Sequence, residues 1–132
     1  KEQARAEFGK RGNAMTYENI GTVHLEAARL GDAKRAFERA AASNPDSSQA
    51  YAGLAVVAIK SGDRRTAIMN WTRAVELQPS NFDALYNLGV QLMRVGRMTE
   101  ARPDLERFVR TAPASQYAKD IKAISAELAK TR

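Results

Sequence analysis

Pro45, Pro79 and Pro113 stand 34 residues apart, and five further columns of the chain keep the same step. Ala33, Ala67 and Ala101 form one, and Phe37, Trp71 and Leu105 another. Ile20, Leu54 and Leu88 form a third, followed at once by the small residues Gly21, Ala55 and Gly89; Tyr17, Tyr51 and Leu85 complete the set. A fixed period of this length marks a chain built from copies of one supersecondary unit. Such a unit cannot bury its apolar face alone and is stable only when stacked on its neighbours.

The unit is helical. Tyr17, Ile20 and His24 recur at i, i+3 and i+7, which places them on one face of a helix. Alanine, the strongest helix former, supplies 24 of the 132 residues. Pro45, Pro79 and Pro113 and most glycines fall between the apolar-periodic stretches, where they stop helices. Gly21, Ala55 and Gly89 allow the backbones of paired helices to approach closely, and Ala33, Ala67 and Ala101 do so from the second helix. Phe37, Trp71 and Leu105 are expected to fill the space between one unit and the next. Asp46-Ser47-Ser48 and Ser80-Asn81 follow two of the prolines and offer N-cap oxygens to the next helix.

These columns resemble the tetratricopeptide repeat, whose pattern runs aromatic, Leu-Gly, aromatic, then Ala, aromatic and a closing Pro. The resemblance covers residues 14–115, and the expected units are 14–47, 48–81 and 82–115. It implies an all-α fold, a right-handed α-solenoid of three helix pairs, seven or eight helices in all. Residues 116–132 are expected to form a C-terminal capping helix, since Tyr117, Ile121, Ile124 and Leu128 make a one-sided apolar stripe among charged residues. Residues 1–13 are an N-terminal flank, in which Ala4, Ala6 and Phe8 are expected to end a preceding helix before Gly9 to Asn13 break it. The chain begins with Lys1 rather than Met, as expected of a part of something longer.

Four departures carry structural expectations. Ala28 stands where the family has glycine between its helices and Gly31 comes just after, so the first turn is expected to shift by a residue or two. Pro103 lies a few residues into the last unit's second helix, so a delayed or distorted first turn is expected there. Ala58 replaces the expected aromatic and Phe108 the expected Ala, a pair in which the large residue is expected to offset the small one.

Composition removes whole classes of function. Without cysteine and with His24 as the lone histidine, the chain offers little metal-ligand, nucleophile or acid/base chemistry. His24 falls in a packing column and has only Ala27 and Ala28 at i+3 and i+4, so it is expected to be structural. Trp71 falls in a core column. Gly9-Lys10-Arg11-Gly12 lacks the spacing and hydroxyl of a phosphate loop. No metal, cofactor or catalytic set is expected, and the chain is not expected to be an enzyme. The longest apolar run, Leu54 to Ile59, is far below the roughly 18 residues of a membrane span. The net charge of +6 is spread thinly along the chain. The densest basic stretch, Arg94 to Arg110, is interleaved with Glu100, Asp104 and Glu106, so no nucleic-acid partner is expected. Neither localisation nor oligomeric state is legible.

The resemblance implies a concave groove, lined by the first helices of the units, that holds a peptide or partner segment. Its groove columns fall on Met15, Glu18, Asn19, Thr22, Leu25 and Glu26, then Gln49, Ala52, Gly53, Val56, Ile59 and Lys60. In the third unit they fall on Asp83, Tyr86, Asn87, Val90, Met93 and Arg94. Asn19 and Asn87 are placed to bond a ligand's main chain. Glu26, Lys60 and Arg94 run in series, so a peptide is expected to set its basic end near the first unit and its acidic end near the third. Family members that grip a C-terminal carboxylate use cations in this row; here Glu18 and Asp83 stand in it, which disfavours that ligand. A similarity of residues 81–89 and 101–109 to repeat regions of bacterial sulfatase-like hydrolases implies an alternative, an accessory docking domain. A third is an oligomerisation module.

Overall fold

The computed structural model describes the backbone of residues 2–130 and the side chains of residues 9–130. Among the described residues it contains seven helices and no strand. Two compact units divide the chain, one covering Lys1–Gln78 and the other Pro79–Arg132.

The first unit holds α1 (Glu2–Glu26), α2 (Leu30–Ser43), α3 (Ser48–Lys60) and α4 (Arg64–Leu77). α1 pairs with α2 and α3 with α4, while α2 packs on α3 and α1 also touches α3. The second unit holds α5 (Phe82–Arg94), α6 (Met98–Thr111) and α7 (Ala114–Lys130), with α5 paired to α6 and α6 packed on α7. The starts of α2, α4 and α6, and their ends before the three prolines, all keep the 34-residue step.

The turns inside the three pairs are built alike. The chain leaves α1, α3 and α5 through a residue of positive φ: Ala28 at +60°, Gly62 at +84° and Gly96 at +81°. The amide after each donates back to a carbonyl five residues earlier, Arg29 to His24, Asp63 to Ala58 and Arg97 to Leu92, each at 2.8 Å. A second bond, spanning three residues, closes beside it, Ala28 to Leu25, Gly62 to Ile59 and Gly96 to Met93. This doubled closure satisfies the orphan carbonyls of a helix end and requires the left-handed residue. The expected shift of the first turn is therefore absent. Ala28 takes the strained conformation because the flanking bonds and the packed pair dictate it.

Two other local expectations are corrected. α1 runs unbroken through Gly9 and Gly12, both open to solvent, so Gly9 to Asn13 do not end a helix. The side chains of Ala4, Ala6 and Phe8 lie outside the described residues. Pro103 lies within α6 without delaying it, and the first turn closes where its equivalents do, with Ala101 donating to the Arg97 carbonyl at 2.9 Å. The bond that Pro103 forgoes belongs to the Thr99 carbonyl; both residues are exposed, so that carbonyl lies where solvent reaches.

The capping expectations hold at Ser47, which accepts from the Ala50 amide, and at Asn81, which accepts from the Ala84 amide. Asp63 caps α4 by accepting from the Thr66 amide and hydroxyl, and these bonds hold its carboxyl below the usual carboxylate range. In the first unit the core gathers around Phe37 with Ala33 and Val57, against which Leu25, Leu30 and Leu54 pack. A Cβ added at Gly21 would lie 2.8 Å from the Phe37 ring, and one added at Gly53 2.4 Å from it. One aromatic ring thus needs small residues in both adjacent helices. Arg39 lies over the Tyr17 ring and Arg73 over the Tyr51 ring, at 5.8 and 5.9 Å, one more contact repeated at the same step.

In the second unit Leu85, Leu105 and Phe108 are fully buried. Phe108 stands 5.3 Å from the Tyr86 ring and 5.5 Å from that of Tyr117, which also meets Phe82 edge-on at 6.0 Å. The volume of Phe108 is therefore taken up by this cluster. Ala58, in the other unit, lines a hollow of about 340 Å³, so the expected compensation does not occur. Ile124 and Leu128 of the terminal helix are buried and Tyr117 and Ile121 half-buried, in line with the apolar stripe read from the sequence.

Candidate functional site

α1 and α3 lie in contact in the first unit, and each turns one face to its own partner helix. Glu18, Thr22 and Glu26 occur at four-residue steps along α1 with Asn19 beside them, a stripe distinct from the packed Gly21. Asn19, Thr22 and Glu26 are exposed, as are Gln49 and Lys60 of α3, with Val56 half-buried between the last two. Polar groups thus surround a small apolar patch. The Thr22 hydroxyl donates to the Glu18 carbonyl at 2.9 Å, so its oxygen remains available as an acceptor.

Glu18 has another task. Its carboxylate accepts from the hydroxyl of Ser47, the residue that caps α3. An acid of α1 thereby fixes the N-terminus of α3 across 29 residues of sequence, which the repeat columns gave no means to foresee. Ser48 adds a second tether by donating to the Ala74 carbonyl at 2.8 Å. Two residues placed in the groove columns turn to the core instead: Leu25 packs on the Phe37 cluster, and Gly53 abuts the Phe37 ring.

In the second unit Asp83 and Arg94 of α5 are exposed and Asn87 is half-buried, while Val90 is buried and Tyr86 packs on Phe108. Asn87 donates its side-chain amide to the Asp83 carbonyl at 2.8 Å. Asp83 accepts from the Tyr117 hydroxyl at 2.8 Å. Burial of the phenol, together with this bond to a carboxylate, pushes the Tyr117 pKa up to about 12. Backbone angles at Tyr117 of φ −120° and ψ 23° interrupt α7 there and let the ring reach both Asp83 and the aromatic cluster.

His24 is half-buried, and its Nδ1 accepts from Arg29 Nε at 2.9 Å, which makes it a partner of the helix turn. Trp71 is buried in the core as its column implied. Among the described residues no cluster of three acids or histidines is placed to hold a metal, and no helix is long and apolar enough to cross a membrane.

A sequence model of the tetratricopeptide repeat family matches residues 19–63 and 54–116. Rat DnaJ homolog subfamily C member 3 is 29% identical over 115 residues, which is 87% of this chain and 23% of that protein. The chain thus spans about a quarter of the length of that relative. Among solved structures, the TPR domain of P58(IPK) superposes with a TM-score of 0.80 at 24% identity, covering 89% of this chain and 33% of that one. The second TPR of Spaghetti (RPAP3) bound to the HSP90 peptide SRMEEVD superposes with a TM-score of 0.76 at 21% identity, covering 85% and 96%.

Proposed function

Because the chain belongs to the tetratricopeptide repeat family, we propose that it is a non-catalytic scaffold holding a segment of a partner polypeptide against the first helices of its repeats. The observation that supports this reading is the contact of α1 with α3, together with the exposure of Asn19, Thr22, Glu26, Gln49 and Lys60 and the half-burial of Val56. Asn19 and Gln49 have the amides to bond an extended main chain, and Val56 gives an apolar anchor of modest size. Glu26 and Lys60 differ in sign, so a segment lying from α1 to α3 sets a basic residue at Glu26 and an acidic one at Lys60. The second unit offers its own row, Asp83, Asn87 and Arg94 of α5. Relatives of this fold that carry peptides support a peptide as the class of occupant.

The ligand is not an acidic C-terminal tail. Glu18 and Asp83 are both acids fixed by hydrogen bonds to Ser47 and Tyr117, and they stand where a carboxylate ligand needs cations. The test is fluorescence anisotropy against an arrayed peptide set that includes SRMEEVD. Peptides of mixed charge bind at around micromolar strength, about −8 kcal/mol, and binding disappears in Val56→Arg and in Asn19→Arg. Retention of binding in both variants, or preference for SRMEEVD, refutes the reading.

A further inference from the structure

The 34-residue step puts His24, Ala58 and Leu92 in one column. Two of the three carry a bulky side chain there. At Ala58 the space stays open as a hollow of about 340 Å³, inside the lower end of the roughly 300–1,000 Å³ of small-molecule sites. Leu54, Val57 and Ala58 supply an apolar floor from α3, Lys34 and Glu38 a wall from α2, and Asp63, Thr66 and Asn70 a rim from α4. All of these elements belong to the first unit.

The rim has engaged most of its neutral donors. The Thr66 hydroxyl donates to Asp63, the Asn70 side-chain amide to the Thr66 carbonyl at 3.1 Å, and the Ser61 hydroxyl to the Val57 carbonyl at 2.8 Å. Beside the second amide N–H of Asn70 and the Lys34 ammonium, what remains is accepting capacity: the carboxylates of Glu38 and Asp63, the amide oxygen of Asn70 and the hydroxyl lone pairs. Lys34 is exposed, and its charge makes the smallest of the contributions that lower the Asp63 pKa, behind the bonds from Thr66. We propose that the hollow beside Ala58 is a binding site for a small aromatic molecule that carries a hydrogen-bond donor, a phenol being the simplest of the class. The ring lies on the Leu54, Val57 and Ala58 floor, and its hydroxyl donates to the acidic rim. At 3.6 residues per turn this floor lies roughly 150° around α3 from Gln49, Val56 and Lys60. Ring and peptide therefore bind to different faces of one helix, and the inference does not depend on the peptide reading.

The test titrates 4-methylphenol, toluene and phenylacetate into isotope-labelled protein and follows the methyl resonances of Leu54, Val57 and Ala58. Low-millimolar saturable shifts by 4-methylphenol, weaker shifts by toluene, and none by phenylacetate are expected. Ala58→Leu, which copies the residue of the third repeat, abolishes them. Should that variant fold poorly, intermolecular Overhauser contacts between the phenol ring and the Val57 and Leu54 methyls of the unmodified protein decide the matter. Absence of those contacts, unchanged binding in a folded Ala58→Leu, or a preference for phenylacetate overturns the inference.

Discussion

The three helix turns differ in one respect: two use glycine at positive φ and the first uses Ala28. An L-residue with a Cβ pays about 1–2 kcal/mol for the left-handed region, so Ala28→Gly relieves strain in the folded chain. Glycine also adds freedom to the unfolded chain, which offsets about 0.4–1 kcal/mol. The net expectation is a stabilisation of about 0.5–1 kcal/mol, or roughly 2–4 °C in melting temperature for a domain of this size. The structure supplies its own controls. A Cβ added at Gly62 or Gly96 meets no atom within 4 Å, so Gly62→Ala and Gly96→Ala test backbone conformation alone and should destabilise by the same amount. Denaturant unfolding followed by the fluorescence of Trp71, buried in the first unit, reads Ala28→Gly and Gly62→Ala; circular dichroism reads Gly96→Ala. A destabilised Ala28→Gly, or a neutral Gly62→Ala beside it, would show that the positive φ of Ala28 is not the strain argued here.

Three further outcomes follow from single contacts. Gly53→Ala places a methyl 2.4 Å from the buried Phe37 ring, and overpacking of this kind costs about 1–3 kcal/mol, read as a lower midpoint in Trp71 fluorescence. Gln91 is buried with its side-chain oxygen unpartnered, in a column that holds Val23 and Val57, so Gln91→Val should stabilise the fold by about 1 kcal/mol; a lower melting temperature would count against it. Tyr117 binds its proton more tightly folded than unfolded, because its pKa is raised from 10.0 to about 12. Its contribution to stability is complete below pH 10 and is lost between pH 10 and 12. The difference in unfolding free energy between the protein and Tyr117→Phe should be flat below that window and fall within it, and a flat difference throughout would remove Asp83 as its partner.

The period made the architecture legible because each packing column is a local steric demand that any copy of the unit must meet. Phe37 needs small residues at Gly21 and Gly53, Ala33 needs a closely approaching helix, and the prolines need an ending. The turn at Ala28 was misjudged from residue type. Glycine is the cheaper occupant of a left-handed position, yet the two bonds from Ala28 and Arg29 hold alanine there at a modest strain. Pro103 was misjudged for a related reason: its missing amide faces solvent, where the lost bond is nearly free. The hydrogen bonds from Ser47 to Glu18 and from Tyr117 to Asp83 escaped because polar contacts across 29 and 34 residues leave no mark on hydrophobic spacing.

The columns that do not pack tell the other half. Along the first helices, residues 26, 60 and 94 are Glu, Lys and Arg. Chemistry therefore changes from repeat to repeat on this stripe, while Ala33, Ala67 and Ala101 remain one residue type at zero exposure. A stripe that answered to the core would not tolerate a reversal of charge, since an unpaired buried ion costs several kcal/mol. Glu26, Lys60 and Arg94 meet no such penalty because all three are exposed. Their variation is permitted by solvent, and in the proposed function Glu26 and Lys60 are the pair that gives a direction to a partner laid across α1 and α3. Exchanging these two charges leaves the packed columns untouched, so the fold persists while the preferred orientation of a mixed-charge peptide reverses.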